Sequence, residues 1–165
     1  MSRIKIRQAN ITDITIIESI LLNTVNWLNE INRPMWSVES VKWKSLSESY
    51  DINDFYIAFF DDKPYGCMVI VNTDPFFFPD VPKGESLFLH KLAVVKDARK
   101  LGVSQALIEH FKEKGREVGA TSVQLETHAL RPKLRAFYEN NGFKFVEIKT
   151  WSSDKKSAYY IYKLA

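Results

Sequence analysis

Hydrophobic and polar positions change period several times along the chain, and each change marks an element. Arg3-Ile4-Lys5-Ile6-Arg7 alternates, the pattern of a half-buried strand. Ile14, Ile17, Leu21, Val25 and Leu28 then recur at helical spacing, behind Thr12 as the expected N-cap and Asp13 in the first turn. Ile31 to Pro34 breaks that stripe, and Ser37, Val38, Val41 and Leu46 predict a second, short helix carrying Trp43. Phe55 to Phe60 and Tyr65 to Val71 are β-prone runs flanking Asp61-Asp62-Lys63-Pro64, which predicts an antiparallel hairpin with the strand at Leu87 pairing next. That strand is an apolar run from Leu87 to Val95 broken by His90 and Lys91. A basic, glycine-containing turn follows, then Val103, Leu107, Phe111 and Val118 at helical spacing with Gly119 as a left-handed stop. Ser122 to Thr127 predicts a buried strand, with Val123, Leu125 and Thr127 on one face. Pro132 suits the first turn of a last helix that presents Leu134, Phe137 and Tyr138 on one face and ends at Gly142. Phe143 to Ile148 and Ala158 to Leu164 close the chain as strands joined by the polar stretch Ser152 to Ser157. The predicted order is β-α-α-β-β-β-α-β-α-β-β.

Composition narrows the class. At 165 residues and 45% hydrophobic, the chain is the size of one domain over residues 1–165, long enough to bury a core. A net charge of +3 and a pI near 8.9, with scattered basic residues, favour a small anionic ligand over nucleic acid. Cys67 is the single cysteine, lying between Tyr65 and Met68, so a buried, inert thiol in a reducing compartment is expected. No bilayer-length apolar run and no signal-peptide layout are visible, so a cytoplasmic protein that engages no membrane is expected. Between Asn72 and Ser86, three consecutive phenylalanines, Phe76 to Phe78, stand in a proline-bounded loop. They would pack on the body, shield a cleft or meet a partner chain.

The chemistry starts at the stretch Leu87 to Glu117, read as strand, basic turn and helix. The first N–H groups of a helix have no partner within it and sit at the positive end of its dipole, so they can hold a phosphate or pyrophosphate. Gly102 would let the backbone approach such an anion, and Lys96, Arg99 and Lys100 would add charge.

The turn Arg99-Lys100-Leu101-Gly102-Val103-Ser104 resembles the Arg/Gln-x-x-Gly-x-Gly/Ala signature of GNAT-family N-acetyltransferases, with Ser104 where the family usually has Gly or Ala. The preceding Leu-His-Lys-Leu-Ala-Val is similar to that family's coenzyme-binding strand. The stretch Leu134 to Phe143 is similar to its C-terminal signature helix and turn. The resemblance implies an α/β fold whose mixed, mainly antiparallel sheet is splayed between its fourth and fifth strands, with helices on both faces. It implies acetyl-CoA as cosubstrate, its diphosphate on Arg99, Lys100, Leu101, Gly102, Val103 and Ser104, and its pantetheine arm on the backbone of Leu92, Ala93 and Val94. Leu92 would also polarise the acetyl carbonyl. Arg131 would contact the arm or reach the phosphates, and Lys133, Leu134 and Phe137 would flank the pantetheine or adenine.

Transfer of acetyl from a thioester to an amine needs a neutral amine, a polarised carbonyl and a proton for the departing thiolate. At pH 7.4, an amine with a pKa near 10.4 is neutral in about one part in a thousand, a handicap of roughly 4 kcal/mol. Tyr138, matching the family's helix tyrosine, is the expected acid. His90 is the expected base, with His128, Glu126 and Glu85 as further candidates. Trp27, Trp36 and Trp43 are expected to cluster around the first two helices. Trp27 and Trp36 would wall a pocket for a small-molecule or peptide amine, with His128 at its mouth, although the same aromatic residues would serve a homodimer. No metal-ligand spacing is present, and thioester aminolysis requires no metal. Three functions compete. The first is an acetyl-CoA-dependent N-acetyltransferase, and the second is a catalytically silent acyl-CoA-binding sensor or interaction module of the same fold. An unrelated nucleotide-binding enzyme is disfavoured by the absence of Gly-x-Gly-x-x-Gly and Gly-Lys-Ser/Thr.

Overall fold

The structure, a computed structural model, describes residues 3–164. Its strands are β1 (Ile4–Gln8), β2 (Phe55–Phe60), β3 (Lys63–Val71), β4 (Ser86–Val94), β5 (Ser122–His128), β6 (Lys144–Ser152) and β7 (Lys155–Lys163). They form one sheet in the order β1-β2-β3-β4-β5-β7-β6, in which β4 and β5 pair in parallel and β1–β2, β2–β3, β5–β7 and β6–β7 are antiparallel. The helices are α1 (Ile14–Glu30), α2 (Trp43–Leu46), α3 (Val103–Glu117) and α4 (Pro132–Asn140). This is the mixed, mainly antiparallel α/β architecture expected. The chain divides into two compact units, one running through Ile70 with His90–Leu107, the other Val71–Leu89 with Ile108 onward.

In the first unit, the β2–β3 hairpin turns on Asp61 and Asp62, both with positive φ (48° and 67°), as a two-residue turn of the primed kind requires. The turn is shorter than the sequence predicts: Lys63 and Pro64 already belong to β3, and Pro64 sits at a bulge, where a missing N–H is tolerated. The entry to the first helix also differs, because a 3-10 turn, Ile11–Asp13, precedes α1 and carries the cap, while Asp13 at the start of α1 makes no side-chain capping bond to that helix. Asn10, not Thr12, accepts the Thr12 N–H and forms a capping box with Asp13, whose carboxylate receives the Asn10 N–H at 2.9 Å and the Arg7 guanidinium at 2.7 Å. The second predicted helix splits into a 3-10 turn, Glu39–Val41, and the single turn of α2, because Lys42 between them is extended. Ile17, Leu21, Val25 and Leu28 are buried as the α1 stripe predicts.

In the second unit, α3 continues through buried Ile108, Phe111, Lys112 and Gly115, whereas Val118 lies beyond the helix and is exposed. The Lys112 ammonium donates to the Asn141 carbonyl at 2.6 Å and lies over the Tyr162 ring, so a buried lysine closes the C-terminal end of α4. β6 and β7 are longer than predicted and turn tightly at Ser153 and Asp154. The phenylalanine loop packs on its own unit: Phe78 joins Phe88 and Tyr159 in a buried cluster, and Phe76 stacks on Trp151 at 5.2 Å. The β4–β5 register runs from Ser86↔Ser122 to Leu89↔Leu125, and the Ser86 hydroxyl donates to the Ser122 carbonyl.

Candidate functional site

The predicted strand, turn and helix are all present, and the first unit holds the end of β4, the turn and the start of α3, where residues of α1 brace the turn. The Asn23 side-chain oxygen accepts the Lys96 N–H at 3.1 Å, anchoring the 3-10 turn Lys96–Ala98 that follows β4. The Arg99 guanidinium lies 3.6 Å from the Trp27 ring centroid, a cation–π contact that fixes its charge beside the turn. Within the turn, the Arg99 and Leu101 N–H groups donate to Lys96 and Ala98 carbonyls, so the Leu101 amide expected to face phosphate is already engaged. The first helical bond runs from the Ala106 N–H to the Gly102 carbonyl, so Gly102 is the cap and the N–H groups of Val103, Ser104 and Gln105 precede any helical acceptor.

Gly102 has φ +83°, and a Cβ there would meet only Ile4 Cδ1, at 4.0 Å. A left-handed cap open to space, with Lys96, Arg99 and Lys100 exposed around it, fits a diphosphate. The Val103 side chain is buried, and a Cβ on Gly66 would lie 2.9 Å from Val103 Cγ1. Only its backbone can serve a ligand.

On β4, Ala93 and Val94 are buried and Leu92 half-buried, so Ala93 and Val94 are also limited to backbone contacts. Lys91 adopts φ +53° in mid-strand, a left-handed conformation with an energetic cost for a residue carrying a Cβ. Its ammonium lies 4.7 Å from the Trp36 ring centroid, and its carbonyl is 3.9 Å from the Cys67 sulfur. Burial pushes the Cys67 thiol up to about 12. His90 packs against Tyr50 at 5.8 Å, Tyr50 stands edge-on to Phe55, and Trp43 lies 5.9 Å from Phe55. Each tryptophan has its own neighbour: Trp27 lies against Arg99, Trp36 against Lys91 and Trp43 on Phe55.

The second unit carries the remaining candidates. Tyr138 is 6% exposed, with its ring near Phe137, Phe143 and Tyr160, and burial, then Glu126, holds its proton on well above the usual phenol range. Leu134 and Phe137 are half-buried beside it on α4. Arg131 precedes α4 as its cap residue without a side-chain capping bond, and its N–H donates to the His128 carbonyl. His128 Nδ1 accepts the Leu130 N–H at 3.2 Å, while burial, then Arg131, lowers its pKa. Burial thus disfavours the charged ring, and its Nδ1 lone pair is engaged by Leu130, which leaves Nε2–H as a donor and weighs against a base role.

Four positions in these arrangements escape sequence inspection: Asn23, Tyr50, Gly66 and Tyr159. Gly66 alone carries a signal, a glycine inside a strand pattern, which marks close approach of another element. Among the described residues, no group of His, Cys, Asp and Glu is placed to hold a metal, and no helix is long and apolar enough to cross a membrane.

A sequence model of the acetyltransferase (GNAT) family matches residues 21–143. Solved structures share the fold at low identity. A structure described as a GNAT-family acetyltransferase from Desulfovibrio desulfuricans aligns with TM-score 0.75 at 17% identity, covering 98% of this chain and 99% of that one. An acetyltransferase of the GNAT family from Listeria monocytogenes aligns with TM-score 0.73 at 18% identity over 98% and 95%. N-acetylglutamate synthase from Neisseria gonorrhoeae, solved with coenzyme A and N-acetyl-glutamate, aligns with TM-score 0.71 at 18% identity over all of this chain but 36% of its own. No curated protein matches by sequence.

Proposed function

The chain belongs to the GNAT acetyltransferase family, and from that premise we propose that it is an acetyl-CoA-dependent N-acetyltransferase acting on a primary amine of a small molecule or peptide. The observation that carries this reading is the left-handed, open Gly102 at the start of α3, with Arg99 held over Trp27 beside it. Bound acetyl coenzyme A supplies an activated acetyl thioester. The N–H groups of Val103 and Ser104 would hold the diphosphate, with Arg99 and Lys100 adding charge and Leu101 contributing no amide. Backbone groups of Leu92, Ala93 and Val94 would bond the pantetheine amides. The Leu92 N–H would donate to the acetyl carbonyl, a contribution of roughly 3 kcal/mol by the usual magnitude for such a donor. Arg131, Leu134 and Phe137 would flank the arm.

Tyr138 would give its proton to the departing sulfur, and its raised pKa keeps that proton in place at physiological pH. His90, half-buried against Tyr50, would take the proton of the incoming amine, and Trp36 and His128 would contact the acceptor. The overall step forms the C–N bond, breaks the C–S bond and moves one proton from nitrogen to sulfur through these side chains and solvent.

The test is a calorimetric titration with acetyl-CoA, followed by thiol release with a panel of amines. Binding with amine-dependent release is expected. Binding without release on any amine would replace this reading with a silent coenzyme-binding module.

A further inference from the structure

In the second unit, the strand register places two rows of polar side chains across β5, β7 and β6. Tyr159 stands opposite Glu126 on one side and Glu147 on the other, so the three share a face, and two residues along His128 and Lys149 flank Ser157. Directly opposed residues hold their Cβ atoms about 5 Å apart. Tyr159 is 3% exposed, packed on Phe78 at 5.2 Å, and its hydroxyl is buried without a hydrogen-bond partner among the described residues. A buried hydroxyl left this way is unfavourable and calls for an explanation such as a ligand that completes it.

The surroundings say what charge that ligand carries. Glu126, Asp74 and Glu147 all act on the Tyr159 hydroxyl to hold its proton on, beside the larger effect of burial. A cation already rests beside this ring: the Lys149 ammonium lies 4.7 Å from the Tyr159 ring centroid, and a ligand's ammonium would displace it.

We propose that Glu126, Tyr159, Glu147 and Asp74 recognise the acceptor, and that the acceptor is an aliphatic diamine or longer polyamine. The proposal rests on the acetyltransferase reading above for its reason to seek an amine. The step from amine to polyamine is electrostatic. A reacting nitrogen must lose its charge before it attacks, so carboxylates that held it would oppose the reaction. A second ammonium on the same molecule keeps its charge throughout and can be held by carboxylates at no cost to the chemistry.

The experiment is calorimetric titration of the full chain with spermidine, with 1,4-butanediol as the uncharged comparison, alongside thiol release from acetyl-CoA with spermidine and with glutamate. Spermidine is expected to bind and the diol not. Glu147→Gln, at an exposed position, and Glu126→Gln should each weaken binding by about fivefold, Tyr159→Phe should weaken it, and Lys149→Met should tighten it. Equal binding of the diol, or spermidine binding unchanged in both glutamate variants, overturns the proposal. So does thiol release with glutamate and none with spermidine, which leaves acetyl transfer standing. Carboxylate-dependent spermidine binding with no thiol release on any amine supports this site and overturns the transferase reading instead. Should Tyr159→Phe unfold, Glu147→Gln and Lys149→Met still decide the matter.

Discussion

At Gly102 the backbone is left-handed, and a Cβ there would meet no atom nearer than Ile4 Cδ1 at 4.0 Å. Alanine would therefore suffer from conformation and not from collision, at about 1–2 kcal/mol. Relaxing that strain would rotate the amides of Val103 and Ser104, so Gly102→Ala should lower stability by about 1 kcal/mol and acetyl-CoA affinity at least about tenfold. Calorimetry with a urea melt checks both, and an unchanged Kd would remove the turn from the coenzyme site. Tyr138→Phe keeps the ring that packs against Phe143 and Tyr160 and deletes only the hydroxyl. The expected result is a kcat lower by about a hundredfold with little change in KM. Because the Tyr138 pKa is raised, the wild type should show no falling limb from this group between pH 8 and 10. A rate profile for both proteins would decide it, and retained turnover in the variant would retire Tyr138 as the acid.

Elements were legible where their pattern is local. The α1 stripe, the β2–β3 hairpin, the basic turn with Gly102, the left-handed Gly119 and the helix end at Gly142 all follow from residue type and spacing. What eluded inspection depends on contacts across the sequence: Lys91 at φ +53° in mid-strand, Lys112 closing α4, and the insertion of β7 between β5 and β6. Gly66 is the clearest instance. A Cβ there would lie 2.9 Å from Val103 Cγ1, 3.1 Å from the Ala93 carbonyl and 3.1 Å from Leu107 Cδ1. Two of these neighbours belong to α3 and the third is backbone, so Gly66→Ala should displace the start of the helix and cost about 1–3 kcal/mol. Acetyl-CoA affinity should fall with it, whereas a variant that loses neither would show that α3 tolerates the shift. A second element-scale prediction concerns the entry to α1. Arg7, then the Asn10 N–H, holds the buried Asp13 carboxyl below the usual carboxylate range, with burial opposing them. A depressed folded value means that this contribution is complete above the unfolded pKa of about 3.9 and lost as pH falls through the lower folded value. Asp13→Asn should cost about 2 kcal/mol at pH 7, less than a fully buried pair because Arg7 is half exposed. The gap between the two denaturation midpoints should narrow as pH falls below the unfolded value of about 3.9, and a gap that stays constant there would show that the cap, not the charge, matters.

For the whole molecule, the mild charge of +3 conceals opposite local fields: an exposed basic turn at Lys96, Arg99 and Lys100, and the carboxylates Glu126, Glu147 and Asp74 around Tyr159. Net charge alone favours an anionic ligand, as read from the sequence, but only the strand register brings Glu126 and Glu147, far apart in the chain, to either side of Tyr159, with Asp74 added from the loop after β3. A ligand that binds only the folded state raises stability by mass action, about 2.7 kcal/mol when present at a hundred times its Kd. For a domain of this length, each kcal/mol moves the midpoint by about 2–4 °C, so saturating acetyl-CoA should raise Tm by about 5–10 °C. The proposed diphosphate contacts would be charge-assisted and exposed, so the shift should shrink as salt rises from about 50 to about 500 mM. Thermal melts with and without the coenzyme at both salt concentrations measure it. A midpoint that stays fixed at millimolar acetyl-CoA would mean the chain keeps the family's fold without its ligand.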